Sequence, residues 1–171
     1  MKKIRLDSSH KGTVALVAIG LLFIISYGYR CGFQKICGPG LVERVVRDGK
    51  ELTFPQGKIV AEVASTPASR ELGLSGRSGL KEGKGMLFVF EHSGRYGFWM
   101  KDMNFPIDII WINEDGVVVH IERGATPESY SDFNPPKTFV NTPDAKYVLE
   151  IASGASDTYG IYLGTKVQIE D

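Results

Sequence analysis

The apolar positions of this chain fall into two unlike patterns. Residues 13–29 (TVALVAIGLLFIISYGY) form one unbroken run without a charged side chain. Further on, apolar residues come in short runs bounded by glycine, proline and charged residues: 58–64 (KIVAEVA), 85–90 (GMLFVF), 107–112 (IDIIWI), 117–121 (VVVHI), 147–151 (YVLEI) and 166–169 (KVQI). Their length and their β-branched and aromatic content predict strands. Asn113, Glu114, Asp115 and Gly116 separate the third run from the fourth, so a hairpin is expected there, with its strands antiparallel neighbours.

One short helix is predicted, with Thr66 as its cap, Pro67 at its first position, residues 68–72 as its body and Gly73 as its stop. No second long helix is visible, which disfavours βαβ units and a parallel sheet. The expected fold is mainly β (α+β), an antiparallel β-sandwich or squashed barrel with one short helix. Residues 124–144 hold Pro127, Asn134, Pro135, Pro136, Asn141 and Pro143, a long connection of the kind that often serves function. Gly38, Pro39 and Gly40 break the chain ahead of the strands. The resulting division is a basic tail (1–12), a transmembrane anchor (13–29), a linker with a candidate first strand (30–57) and a β domain (58–171).

As a helix, residues 13–29 would reach roughly 26 Å, the short end of the roughly 17–25 residues that a membrane span needs. A cleaved secretory signal is the alternative, since Ser26 and Gly28 form a small-residue pair. The run is longer than the usual signal core of about 7–15 residues, and Tyr27, Tyr29 and Arg30 crowd the cut. Lipid attachment at Cys31 would need small residues where Tyr29 and Arg30 stand.

Charge adds a direction. The chain is neutral overall, with 20 Lys plus Arg and 20 Asp plus Glu. Residues 1–40 nevertheless hold six basic groups (Lys2, Lys3, Arg5, Lys11, Arg30, Lys35) against Asp7, leaving a balance of −5 on the remainder. Basic residues ahead of the span predict a cytoplasmic amino terminus and a main domain outside the cell membrane, periplasmic or extracellular; secretion after cleavage is the alternative. The acidic body speaks against a nucleic-acid partner. In an oxidising exterior, Cys31 and Cys37 are candidates for a small disulfide loop, for a link between chains, or for two idle thiols.

Candidate chemistry begins with charged residues inside apolar runs. Asp108 and Glu150 either face water or, if inward, need partners, for which Arg70 and Arg77 are the obvious choice. These four residues form one candidate ligand-binding or structural cluster. Phe98, Trp99, Met100 and Lys101 follow a glycine-flanked turn: Trp99 and Lys101 would offer a stacking face and a donor to a small molecule or glycan, or Phe98 and Met100 pack in the core with Trp99 on the other face. Met86, His92, Met100 and Met103 raise a weaker Cu(I) reading, against which Met is a common core filler. No cofactor is expected. Residues 79–84 lack the spacing and the Ser or Thr of a phosphate loop, and G-x-S-x-G is absent. Asp108 and Glu150 as a glycosidase-like pair remain the main enzyme alternative. The leading reading is a membrane-anchored extracytoplasmic module that binds a small molecule, a glycan or an envelope protein and performs no chemistry.

The body also resembles a known family. Arg70, Gly73, Leu74 and Arg77 (R-x-x-G-L-x-x-R), GMLFVF at 85–90, FWMK at 98–101, PIDI at 106–109, YVLE at 147–150, and Gly160, Ile161 and Gly164 follow one another as in the domain-of-unknown-function family 192 (DUF 192), from about residue 58 to residue 169. Asp102 and Met103 depart from the polar pair, such as Asn-Thr, expected there. The resemblance implies a mainly β, jelly-roll-like domain, often placed behind a membrane or secretion segment, and it implies no activity.

Overall fold

The computed structural model describes residues 49–132 and 137–170. The anchor at 13–29, Cys31, Cys37 and the Asn134, Pro135, Pro136 stretch lie outside the described residues. Among the described residues no helix is long and apolar enough to cross a membrane.

In chain order the strands are β1 (Gly49–Phe54), β2 (Gly57–Ala64), β3 (Lys84–Gly94), β4 (Gly97–Phe98), β5 (Ile107–Ile112), β6 (Val118–Ala125), β7 (Phe139–Val140), β8 (Ala145–Ala152) and β9 (Gln168–Ile169). Helix α1 (Pro67–Leu72) lies between β2 and β3, and α2 (Ala155–Thr158) follows β8. Seven strands make one sheet in the order β6-β5-β8-β3-β2-β1-β9, while β4 and β7 form a separate two-stranded ribbon.

All six predicted strands are present, and β5 pairs antiparallel with β6 across the polar hairpin. The candidate first strand of the linker forms as β1. Three expectations are corrected. First, the sheet is mixed, because β2 and β3 run parallel and Ala61 pairs with Gly85. Parallel neighbours need a crossover of a dozen or more residues. Here that crossover contains only the six-residue α1, too short to register as a βαβ unit in the apolar pattern. Second, α2 is an additional short helix. Third, no barrel closes: β9 pairs with β1 at one edge, and the segment before it meets the other edge through an isolated bridge, Val117 to Lys166, and the few backbone hydrogen bonds around it, with no ladder between β9 and β6. One large sheet faced by a small ribbon thus replaces the antiparallel sandwich, the jelly roll and the squashed barrel.

The start of α1 follows its sequence signals closely. Thr66 Oγ1 accepts from the Ser69 amide at 3.1 Å, and Ser69 Oγ accepts from the Thr66 amide at 2.9 Å. This reciprocal box satisfies two donors that the first helical turn would otherwise leave orphaned.

The central strands are buried on both faces. All six residues of β5 are buried, as a near-continuous apolar run implies. Alternation sends Ile107, Ile109 and Trp111 into one core cluster with Met86, Phe88 and Met100, and Ile110 and Ile112 into the other with Leu52, Leu87, Leu149 and Ile151. The ribbon packs on the first of these faces, where Phe98 meets Phe88 and Trp111 edge-on, with ring centroids 4.9 and 5.9 Å apart. Asn141 holds the ribbon in place: its side-chain oxygen accepts from the Tyr96 amide at 2.8 Å, and its amide donates to the Gly94 carbonyl at 3.0 Å.

Candidate functional site

Glu150 stands on β8 with its side chain on the face that carries the ribbon. In the sheet it pairs with Met86 on one side and Ile109 on the other. The carboxyl group is buried, with 5% of the residue exposed. It makes no hydrogen bond or ion pair with any described residue, and it opens into a cleft of about 300 Å³. Burial pushes its pKa up to about 8, and the charge of Arg77 nearby offsets this only in part. At neutral pH Glu150 is therefore mostly protonated, able to donate one hydrogen bond and accept others.

Four elements build the cleft around it. The end of α1 and the turn after it supply Arg70, Glu71 and Ser75; β3 supplies Phe88 and Phe90; β4 and its approach supply Tyr96 and Phe98; the following turn supplies Trp99, Lys101 and Met103. Gly73 has φ 50°, a left-handed conformation that favours glycine and turns the chain sharply after α1. Three hydrogen bonds tie the segment after α1 to the segment after β4: Ser75 Oγ donates to the Lys101 carbonyl at 3.0 Å, the Gly76 amide to the Asp102 carbonyl at 2.8 Å, and Asn104 Nδ2 to the Arg77 carbonyl at 2.9 Å. Asp102 itself sits at φ 55°, a region that Asn and Asp tolerate better than most residues.

Of the predicted binding residues, Arg70, Trp99, Lys101 and Glu150 meet at this cleft. Arg70 directs Nη1 at the Ser65 and Val89 carbonyls, 2.6 and 3.0 Å away, and lies over the Phe90 ring at 5.1 Å. It thereby anchors α1 to β3. Phe90 in turn stacks on Tyr96, with centroids 3.5 Å apart. Trp99 is 50% exposed, while Met100 beside it is 1% exposed. The FWMK segment therefore follows the core-packing expectation, with Met100 buried, Phe98 packed against the core and Trp99 on the outside.

The proposed cluster of Arg70, Arg77, Asp108 and Glu150 does not assemble. Arg77 grips Glu62 with both arms, at 2.5 and 2.8 Å. Glu62 lies across from Met86 on β2, two strands from Glu150 in the same cross-strand row. That places the two backbones roughly 10 Å apart, so Arg77 reaches Glu150 through its field and not by contact.

Asp108 projects from the opposite face, alongside Ile110, and is fully buried. It accepts four hydrogen bonds: Oδ1 from the Gly124 amide at 2.9 Å, and Oδ2 from the Gly154 amide at 3.0 Å, the Ser156 amide at 3.1 Å and Ser156 Oγ at 2.7 Å. Its role is to fasten the end of β6 and the start of α2 to β5. Asp108 and Glu150 thus sit on opposite sides of the sheet and cannot flank one glycosidic bond, which removes the carboxylate-pair hydrolase. The copper set is scattered in burial as well: Met86 and Met100 are core residues, Met103 lines the cleft and His92 is exposed.

Glu62, Glu71, Phe88, Phe90 and Tyr96 were not singled out from the sequence. Glu62 had a readable signal, a charge inside the apolar run KIVAEVA of the same kind as Asp108 and Glu150. The aromatic residues had none, because ring and core look alike until a cleft lies beside them.

Comparison with known proteins places this architecture among related chains. The DUF192 family, described as Uncharacterized ACR, matches residues 50–169. A solved structure of a putative transcription regulator from Sinorhizobium meliloti is similar at 27% identity and a TM-score of 0.62, over 71% of this chain and 92% of that one. A protein of unknown function from Novosphingobium aromaticivorans is similar at 30% identity and a TM-score of 0.60, over 70% of this chain and 83% of that one. No curated protein matches this chain.

Proposed function

We propose that this chain, which belongs to the DUF192 family, is a binding module whose cleft takes a small ring-shaped organic ligand, and that residues 13–29 hold it outside the cell membrane. One observation carries the ligand reading: a buried carboxyl, Glu150, that no described residue hydrogen-bonds, opening into an aromatic-walled cleft. A carboxyl kept neutral by burial where it opens into a cleft can both donate to and accept from a ligand there. A cleft with mostly apolar walls and a few convergent polar groups is the usual form of a small-molecule site. Here the neutral carboxyl would meet a ligand hydroxyl or carbonyl, Trp99 would stack on a ring face, and Lys101 would donate from the rim. With Asp108 turned to the other face and fully occupied, the arrangement fits binding better than hydrolysis.

Titration of the full chain in a non-glycosidic detergent with sugars, cyclic alcohols and heteroaromatic compounds, followed by Trp fluorescence and melting temperature, tests this reading. A ligand is expected to shift both signals, and Trp99→Ala is expected to weaken its binding by up to about tenfold. The melting temperature of the unliganded variant should not move, since Trp99 is half exposed. If no ring compound shifts either signal, the ligand reading falls.

The membrane placement rests on the uncharged run 13–29 with four basic residues ahead of it. After mild reduction of intact cells or spheroplasts, a membrane-impermeant maleimide is expected to label Cys31 and Cys37. Labelling that requires permeabilised cells would reverse the orientation.

A further inference from the structure

The cleft under Glu150 does not end at Trp99. A second hollow of about 310 Å³ adjoins it, lined by Ala68, Glu71, Leu72, Ser75, Trp99, Lys101 and Asp102. Five of these residues, Glu71, Leu72, Ser75, Trp99 and Lys101, line the first cleft too. The half-exposed Trp99 therefore stands in a wall common to both spaces. Each hollow lies at the lower end of the roughly 300–1,000 Å³ typical of ligand pockets, so a ligand filling both is longer than one ring.

The second hollow has its own chemistry. Glu71 and Asp102 bring carboxylates, Ser75 a hydroxyl and Lys101 an ammonium, set against the apolar Ala68 and Leu72. Carboxylates beside an exposed tryptophan suit a ligand with many hydroxyl donors around an apolar ring face. The charge balance gives a polyanion no net attraction: Arg70 and Lys101 are offset by the carboxylates of Glu71 and Asp102 along the two spaces, Glu150 is neutral, and Arg70 already points its donors at the Ser65 and Val89 carbonyls. The wall is preset, because the Ser75-to-Lys101 and Gly76-to-Asp102 hydrogen bonds fix the two turns that form it.

We infer that the ligand is a neutral oligosaccharide of at least two rings, seated with one ring over Glu150 and the next in the hollow bounded by Asp102, on either side of Trp99. This inference rests on the binding reading given above and adds the ligand class and its length.

The test is calorimetric titration of the full chain, in a non-glycosidic detergent, with neutral cello- and chito-oligosaccharides of one to six rings. Oligogalacturonides and short neutral peptides serve as competitors of other classes. Affinity is expected to rise by about tenfold or more from one ring to three. Asp102→Gly, which suits the φ of 55°, and Ala68→Trp, which fills the second hollow from α1, are each expected to return the longer sugars to the affinity of the single ring without altering the single ring itself. A single ring that binds with no gain on lengthening overturns the inference and leaves the binding reading standing. So does tighter binding of the oligogalacturonides or the peptides, or binding of a non-sugar ring compound alone. Failure of every ring compound, sugars included, overturns both.

Discussion

Asp108→Ala is expected to lower the unfolding free energy by about 3–5 kcal/mol, because it removes the shared acceptor of four hydrogen bonds and leaves their donors unpaired. The carboxylate has no exposure and accepts four hydrogen bonds from three residues on two separate segments. Removing it would leave the Gly124, Gly154 and Ser156 amides without their acceptor, that of Ser156 in a fully buried position, and each buried donor left unpaired costs about 1–3 kcal/mol. Asp108→Asn is a sharper control. One amide oxygen could serve the Gly154 and Ser156 donors, but the NH₂ would then confront the Gly124 N–H, donor against donor. A loss between those of wild type and the alanine variant is expected. Urea unfolding followed by circular dichroism measures both, and a loss under about 1 kcal/mol for the alanine variant would show that the network carries little of the stability. Cleft ligands should still bind to whatever remains folded, since Asp108 lies on the other side of the sheet.

The second large effect is one of pH. Glu150 has a folded pKa near 8 against an ordinary 4.5. Between these values the folded protein holds a proton that the unfolded chain has lost, so stability falls as pH rises. Below about pH 4.5 both states are protonated and the contribution is fully present; above about pH 8 it is gone. The difference across this window amounts to at most about 5 kcal/mol. Glu150→Gln keeps the shape of the protonated side chain and cannot ionise. Its stability is expected to match wild type at pH 4 and to exceed it progressively toward pH 9, with Arg77 and Glu62 unchanged. Melting temperatures of both proteins at half-unit pH intervals decide the matter. Parallel curves would mean that Glu150 takes up its proton at the same pH folded and unfolded, and that burial does not raise its pKa.

These two carboxylates show how far the sequence could be read. Asp108 and Glu150 occupy equivalent positions in their runs, each a charge flanked by Ile or Leu. Nothing local distinguishes them. Strand pairing does: Ile109 faces Glu150 across β5 and β8, so the residue next to it, Asp108, must point the other way. On one side a helix start and a glycine amide wait to be bonded, and on the other lies an aromatic cleft. Arg77 is a similar case. Its need for a carboxylate was legible, but the choice of Glu62 over Glu150 depends on β2 lying parallel to β3, which a crossover with a six-residue helix concealed. Helix α1, by contrast, was readable to the residue, because a cap, a proline and a stop glycine act through bonds within a few positions.

The sequence by itself determined the places of six of the nine described strands, the β5–β6 hairpin and the capped start of α1. It also brought Arg70, Trp99, Lys101 and Glu150 forward as residues with work to do. Each of these rests on short-range physics: side-chain alternation, turn chemistry, capping, and the cost of a charge in an apolar run. Only the tertiary structure decided that four of the six proposed binding residues share a cleft, that Asp108 is a structural clasp, and that Trp99 stands between two hollows. The reason is that a sheet face is assembled from strands distant in sequence. Register and strand order, which no single segment encodes, assign every charged side chain to one side or the other.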